Sequence, residues 1–240
     1  MIIAKFFAVM ILGYILGSIP FGALIGKRRA GVDVRQYGSG KTGATNVLRT
    51  VGRKAAATVA ILDVSKGALA VVLAGLIVGS DYLVVGDFSL GALVGQVLAA
   101  LAAIAGHIWP VFLGFRGGRG VATFFGGLIA LCPPAAIVGG EIALIGVGFT
   151  RYVSLGSIAG TVGAYAILVP LTIVNHFPIE YLVYALMGAI IVMATHRDNI
   201  ARLVSGKERR LGEKAERDDL PQSGPPGGKK LQQPRTGGRG

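Results

Sequence analysis

The sequence predicts an all-α polytopic membrane protein: a compact bundle of seven transmembrane helices, some short or re-entrant, with the N-terminus outside and the C-terminus cytoplasmic. Three observations lead there. Hydrophobic residues make up 52% of the chain and charged residues only 15%, whereas about a quarter of a soluble protein is charged. Apolar segments recur, each near the roughly 20 residues that cross a bilayer core. The lysines and arginines behind the net charge of +12 are dispersed among short connections, as the positive-inside rule expects of a polytopic chain.

The first apolar segment, 2–25, is followed by Lys27-Arg28-Arg29, a stop-transfer flank rather than a cleavage site, so this helix is expected to remain in the protein. Segments follow at 55–78 and 82–105, which puts residues 79–81 outside and returns 107–119 to the cytoplasm. Segment 121–149 is too long for one ordinary crossing. As a single helix it would export Arg151 and the basic C-terminal region, against the charge rule. Splitting it at Cys132-Pro133-Pro134 keeps Arg151 inside, and proline suits the first turn of the second piece because that N–H is not used by the helix. Segments 153–174 and 179–195 complete the set. Residues 1–205 are expected to form the transmembrane domain. Residues 206–240 form a basic cytoplasmic tail, largely disordered because its distal part lacks apolar residues to bury. It either solubilises the chain or touches anionic lipid.

Composition also excludes functions. Cys132 is the single cysteine, which rules out a disulfide framework and a cysteine metal site. No metal and no cofactor are assigned. Dispersal of the basic residues argues against nucleic acid as a partner, and membrane lipid is the expected surroundings. Oligomeric state is not legible.

Two polar loops interrupt the apolar pattern. The first carries Gly38, Ser39, Gly40, Lys41, Thr42, Gly43, Thr45, Asn46 and Arg49. Its glycines allow amide N–H groups to converge on one anion, its Ser, Thr and Asn add neutral donors, and Lys41 and Arg49 add charge. Gly40-Lys41-Thr42 imitates the end of a Walker A loop, but Arg35 stands where that motif needs glycine and no strand precedes it, which excludes that reading. The second loop, Phe115-Arg116-Gly117-Gly118-Arg119-Gly120, runs into a helix whose N-terminal amides favour anions, with arginine offering a bidentate fork.

Other polar residues stand out singly. Asp63 and Lys66 lie three apart inside an apolar segment, on one helix face, either as a mutually neutralised pair or in a direct role. Glu141 has no evident partner. His107 flanks Trp109-Pro110 as an interfacial anchor or a functional group. His196 and Asn199 share a helix face where the last segment ends; the histidine is suited to proton movement and the asparagine to orienting a hydroxyl.

These stretches together resemble the bacterial acyl-phosphate:glycerol-3-phosphate acyltransferase family. The resemblance rests on Gly38-Ser39-Gly40 with Gly43-Ala44-Thr45-Asn46-Val47-Leu48-Arg49, Gly106-His107 with Pro110-Val111-Phe112, Gly117 to Thr123, Arg151-Tyr152-Val153-Ser154-Leu155, and His196-Arg197 with Asn199-Ile200. It implies a membrane enzyme of the bacterial inner (plasma) membrane with its active site on the cytoplasmic side. That enzyme moves a fatty acyl group from acyl phosphate to the 1-hydroxyl of sn-glycerol 3-phosphate, giving lysophosphatidic acid and phosphate, the first step of phospholipid synthesis. It implies Ser39, Arg49, His196 and Asn199 as catalytic residues. Gly38, Gly40, Gly43, Asn46, Gly117, Gly118, Arg119, Gly120 and Ser154 follow as substrate-binding residues, and Glu208 as structural. The family's usual Asn-Pro is Lys41-Thr42 here, and its lysines are Arg116 and Arg119.

An acyl phosphate is already activated, so direct attack by the glycerol hydroxyl on the acyl carbon needs no acyl-enzyme, and positioning with charge neutralisation supplies the catalysis. Either the departing phosphate oxygen or His196 takes the proton. The alternative function is a transporter of a phosphorylated metabolite with Asp63 and Lys66 lining its path, although the internal repeats such a protein predicts are not evident.

Overall fold

The computed structural model describes residues 2–86 and 88–213. Ten helices follow in order among them: α1 Ile2–Ser18, α2 Phe21–Ala30, α3 Ala44–Thr50, α4 Arg53–Val78, α5 Ala92–Ile108, α6 Val121–Leu131, α7 Pro133–Thr150, α8 Val153–Asn175, α9 Ile179–Thr195 and α10 Arg197–Val204. The tail expected to be disordered lies, beyond residue 213, outside the described residues.

The first apolar segment does not run as one straight helix. Pro20 cannot continue the hydrogen-bond ladder, so the chain breaks between α1 and α2. At this break the Ile19 carbonyl accepts from Phe21 N at 3.1 Å and from Lys66 Nζ at 3.0 Å. Segment 121–149 divides at the Cys132-Pro133-Pro134 boundary, with α6 ending at Leu131 and Pro133 in the first turn of α7.

The all-α expectation needs one correction. Residues at the head of the 82–105 segment form not helix but a two-stranded antiparallel hairpin, β1 Leu83–Val85 with β2 Phe88–Leu90. A run of β-branched and aromatic residues beside Gly86, whose φ is +60°, favours strand and turn over helix.

Five helical stretches are long and apolar enough to cross a membrane: Ile2–Ala30, Arg53–Val78, Ala92–Leu113, Pro133–Thr150 and Val153–Asn175. A sixth results if α9 and α10, bent by 62°, count as one. The short α6 has 11 residues, about half a bilayer crossing.

Small residues set the packing. Gly13 and Gly17 of α1 lie against the Ala99 and Ala103 carbonyls of α5, and Gly126 of α6 lies against the Val64 carbonyl of α4, so close that a Cβ would overlap the backbone. In lipid no hydrophobic force draws helices together, and such backbone approach provides the attraction. The centre of the bundle is Phe124, fully buried, stacked on Tyr184 at 5.4 Å and edge-on to Phe125 at 5.3 Å. The buried Tyr184 hydroxyl donates to the Phe124 carbonyl at 2.9 Å, which satisfies the one polar atom in this cluster. These contacts fix α6 against α9 and thereby set the loop that precedes α6.

Candidate active site

The first polar loop is irregular only over residues 38–43, as turn and bend; from Ala44 onward it is the short helix α3. Gly38 and Gly40 adopt φ of +61° and +65°, which L side chains rarely adopt. Asn46 holds the loop shut. Its Nδ2 donates to the carbonyls of Val34 at 2.8 Å, Tyr37 at 3.0 Å and Lys41 at 2.9 Å, while its Oδ1 accepts from Ser39 N at 3.1 Å. Expected to contact substrate, Asn46 instead spends its amide on the loop, because a buried amide is satisfied by whatever carbonyls surround it.

The second loop is moulded on His107. The His107 carbonyl accepts from Gly118 N, the Ile108 carbonyl accepts from Gly117 N, each at 3.0 Å, and the imidazole packs so closely on Gly118 that a Cβ there would meet Nε2. Beneath the ring, Asp63 Oδ1 stands 3.4 Å from His107 Nδ1 and 2.8 Å from Lys66 Nζ. Asp63 and Lys66 are thus a mutually neutralised pair, and Lys66 also serves the Ile19 carbonyl. The two loops face one cleft, and the segments just before them are tied together: Arg35, held by Asp33 at 2.7 Å, donates to the Leu113 carbonyl at 3.4 Å. Thr195 at the end of α9 donates to the Arg119 carbonyl at 3.1 Å.

Between the loops and the N-terminal end of α8 lies a cleft of about 200 Å³. Of the residues singled out from sequence, Ser39, Gly43, Asn46, Arg49, Arg119, Gly120, Ser154, His196 and Asn199 line it. Gly38, Gly40, Gly117 and Gly118 shape the loops and are not among its walls. Lys41, Asp63, His107 and Glu208 also line it and were not assigned to the site. Depth in an apolar segment was the available signal for Asp63, which the spacing paired with Lys66; nothing local marked Glu208.

Glu208 belongs to the stretch expected to begin the free tail. Residues 206–213 instead strap the site. Glu208 Oε1 accepts from Ser154 Oγ at 2.8 Å and Asn199 Nδ2 at 2.7 Å, and Oε2 accepts from Arg202 Nε at 2.8 Å. Burial opposes the charge on Glu208, but these three donors hold its carboxyl below the usual carboxylate range. The strap is fastened where Leu211 N donates to the Arg151 carbonyl at 2.7 Å, and the Arg209 carbonyl accepts from Arg49 Nη2 at 3.2 Å.

The cleft is cationic. Arg49 and Arg119 have no ion pair among the described residues, and the Nε of each is buried without a partner. Burial, then repulsion from Arg202, pushes the Arg119 guanidinium down to about 10, which leaves it charged at neutral pH. Burial, then Arg209, lowers Arg49. His196 is pushed down to about 4, chiefly by burial, so its ring is neutral at pH 7. Because a carbonyl only accepts, the 2.8 Å contact of Nδ1 with the Val192 oxygen puts the proton on Nδ1 and the lone pair on Nε2. Two guanidinium groups with unused donors, a neutral imidazole and loop amides together suit phosphate groups rather than cations or apolar ligands. Among the described residues no cluster of His, Cys, Asp and Glu is arranged to hold a metal ion.

Fold and site define an integral membrane protein with a cationic cleft at one end of its helices. The profile of the family described as glycerol-3-phosphate acyltransferase matches residues 7–206. The chain belongs to that family. A protein named glycerol-3-phosphate acyltransferase 3 from Dehalococcoides mccartyi (strain CBDB1) is 62% identical over 215 residues, covering 90% of this chain and 100% of its own length. A glycerol-3-phosphate acyltransferase from Shouchella clausii (strain KSM-K16) is 40% identical over 217 residues, covering 88% of this chain and 98% of its own. The crystal structure of PlsY (YgiH), an integral membrane glycerol 3-phosphate acyltransferase, in its glycerol 3-phosphate form superposes with a TM-score of 0.75 at 37% identity over 86% of this chain and 96% of that one. A lysophosphatidic acid form of PlsY superposes with a TM-score of 0.73.

Proposed function

We infer that the chain is a membrane-bound glycerol-3-phosphate acyltransferase whose acyl donor is an acyl phosphate and whose acceptor is the 1-hydroxyl of glycerol 3-phosphate. The enzyme class follows from the family and its named relatives; transport of a phosphorylated metabolite, the rival function, finds no support. One observation carries the donor assignment: two loops line a cleft whose half-buried arginines, Arg49 and Arg119, each keep a buried Nε donor unused, as a site for two phosphates requires.

The glycerol hydroxyl attacks the acyl carbon, the new ester C–O bond forms, and the acyl C–O bond to phosphate breaks with its electron pair moving to the departing phosphate. Arg49 and Arg119 neutralise the phosphates and hold the reacting atoms together. With His196 pushed down to about 4, its Nε2 is a weak base. It therefore orients the hydroxyl as a hydrogen-bond acceptor, and the departing phosphate oxygen takes the hydroxyl's proton. Ser39 lines the phosphate side with its hydroxyl. The Asn199 Oδ1, buried and without a partner, is an acceptor for a second glycerol hydroxyl.

Seven crossings result if the short α6 and α9 each traverse. The topology has the N-terminus outside and the site cytoplasmic. Two features support it: Lys5 of α1 pairs with Asp81 at 2.9 Å at the end of the bundle away from the site, while Arg49, Arg119, Arg151 and Arg202 gather at the site end, the side the positive-inside rule assigns to the cytoplasm. In a bacterium this is the inner membrane. Residues 1–205 then form the transmembrane domain together with the strap 206–213.

Purified protein in detergent, given palmitoyl phosphate and labelled glycerol 3-phosphate, should release a labelled lysophospholipid and inorganic phosphate in equal amounts. Product formed only when acyl-CoA or acyl carrier protein is supplied would overturn the donor assignment.

A further inference from the structure

Lys41 has no task in the fold. Its backbone is fixed, since its carbonyl accepts from Asn46 Nδ2 at 2.9 Å, yet its side chain makes no hydrogen bond or ion pair among the described residues. Nor is it a solvated surface lysine: it is partly buried in the loop and lines the cleft with Ser39 and Arg119. A lysine stem is long and flexible enough to carry its ammonium into water wherever that is favourable, and desolvating a charge without a partner is costly.

The charged groups facing it do not compensate. Arg119 from the second loop repels it, as does Arg197 of α10; Asp198 of α10 attracts it, but that carboxylate is exposed and stands 3.7 Å from Arg197. Burial, then Arg119, pulls the lysine's proton affinity down. The other acids in the cleft are engaged elsewhere, Asp63 with Lys66 and Glu208 with Arg202. A third cation thus shares the cleft with Arg119, offset within the protein only in part, by the exposed Asp198.

Charge balance points the same way. Two phosphomonoesters bring about three to four negative charges at neutral pH, more than Arg49 and Arg119 match. We propose that Lys41 is a third phosphate ligand of the cleft, closing with Arg119 on the same phosphate group. This rests on the acyltransferase reading above. Arg119 supplies a planar fork and Lys41 a mobile point charge, so the pair can follow one phosphate as it moves between bound and departing positions.

The test compares Lys41→Met and Lys41→Arg with the parent enzyme, varying glycerol 3-phosphate and palmitoyl phosphate in turn. Lys41→Met should raise KM for at least one substrate by about tenfold or more with an unchanged melting temperature, and Lys41→Arg should recover most of it. The substrate whose KM moves identifies whose phosphate is held. Unchanged KM for both, or a rise accompanied by a lowered melting temperature that Lys41→Arg does not repair, would overturn the proposal. If the parent enzyme transfers nothing from palmitoyl phosphate, the donor assignment fails instead. Lys41 is then judged by calorimetric binding of inorganic phosphate: weakening in Lys41→Met upholds it and no change refutes it.

Discussion

Ser154 and Asn199 are joined through a single atom: Oε1 of Glu208 accepts from Ser154 Oγ at 2.8 Å and from Asn199 Nδ2 at 2.7 Å. The carboxylate therefore clamps the start of α8 to α10, and its other oxygen takes Arg202. Glu208→Gln places an amide where three donors converge, so at least one donor faces another donor. A loss of about 1–3 kcal/mol is expected, read as a lowered melting temperature together with reduced acyl transfer. The sign with pH follows from the depressed carboxyl. Its stabilisation is present above the ordinary value of 4.5 and is lost as pH falls through the lower folded value. Melting temperature against pH should show that loss in the parent and lack it in Glu208→Gln.

Asn46→Ala strands the Lys41 carbonyl and the Ser39 amide and leaves the Val34 and Tyr37 carbonyls only their backbone bonds from Tyr37 N at 3.3 Å and Gly40 N at 3.1 Å. Each buried group left without a partner costs about 1–3 kcal/mol. The expected outcome is loss of stability and activity together. Asn46→Asp, which sets an acceptor against three carbonyls, should be at least as damaging as alanine in the same melting experiment.

If Arg49 and Arg119 hold the phosphates as proposed, Arg49→Ala and Arg119→Ala should each lower kcat/KM by about a hundredfold or more. The melting temperature should fall more for Arg49, because that side chain also fastens the strap at the Arg209 carbonyl. Steady-state kinetics beside thermal unfolding separates the two contributions.

Gly118→Ala drives a methyl group into the His107 ring and should displace the second loop, costing about 1–3 kcal/mol from overpacking and most of the activity. Combining it with His107→Ala should restore part of the stability, since the obstacle is gone. A double mutant as unstable as the sum of the singles would show that the ring is not what Gly118 accommodates.

His196 provides a pH signature. An exposed histidine would gain its proton near 6.5, whereas His196 is pushed down to about 4. On acidification the unfolded chain protonates first, so this residue removes stability progressively between pH 6.5 and about 4. Its ring stays neutral in the folded enzyme throughout most of that range. The pH profile of kcat/KM should therefore show no histidine inflection near 6.5 assignable to His196. His196→Phe should lower activity without moving an inflection there.

Much of the frame was legible in the chain because its cues are local. Length and apolarity marked most of the helices, Cys132-Pro133-Pro134 marked the break in segment 121–149, and glycine with basic residues marked both loops, whereas the break at Pro20 went unread inside the segment 2–25. Other features were not. The hairpin at Leu83–Leu90 was hidden within a hydropathic run, because apolar content does not distinguish a short strand pair from the start of a span. The roles of Asn46, Ser154 and Asn199 depended on partners that residue type alone does not reveal.

The sequence by itself determined that this chain enters a membrane, roughly where its apolar segments lie, that two cationic glycine loops serve one end, and which family it resembles. Tertiary structure alone decided which polar groups remain free for substrate. Asn46 turned inward onto its own loop, Glu208 came back over 54 residues to Ser154, and Arg49 reached a strap 160 residues away. The physical reason is one of range. Helix formation and turns are set by neighbours within a few residues, but a hydrogen-bonding group is committed or available only once the folded chain has brought a distant partner within about 3 Å.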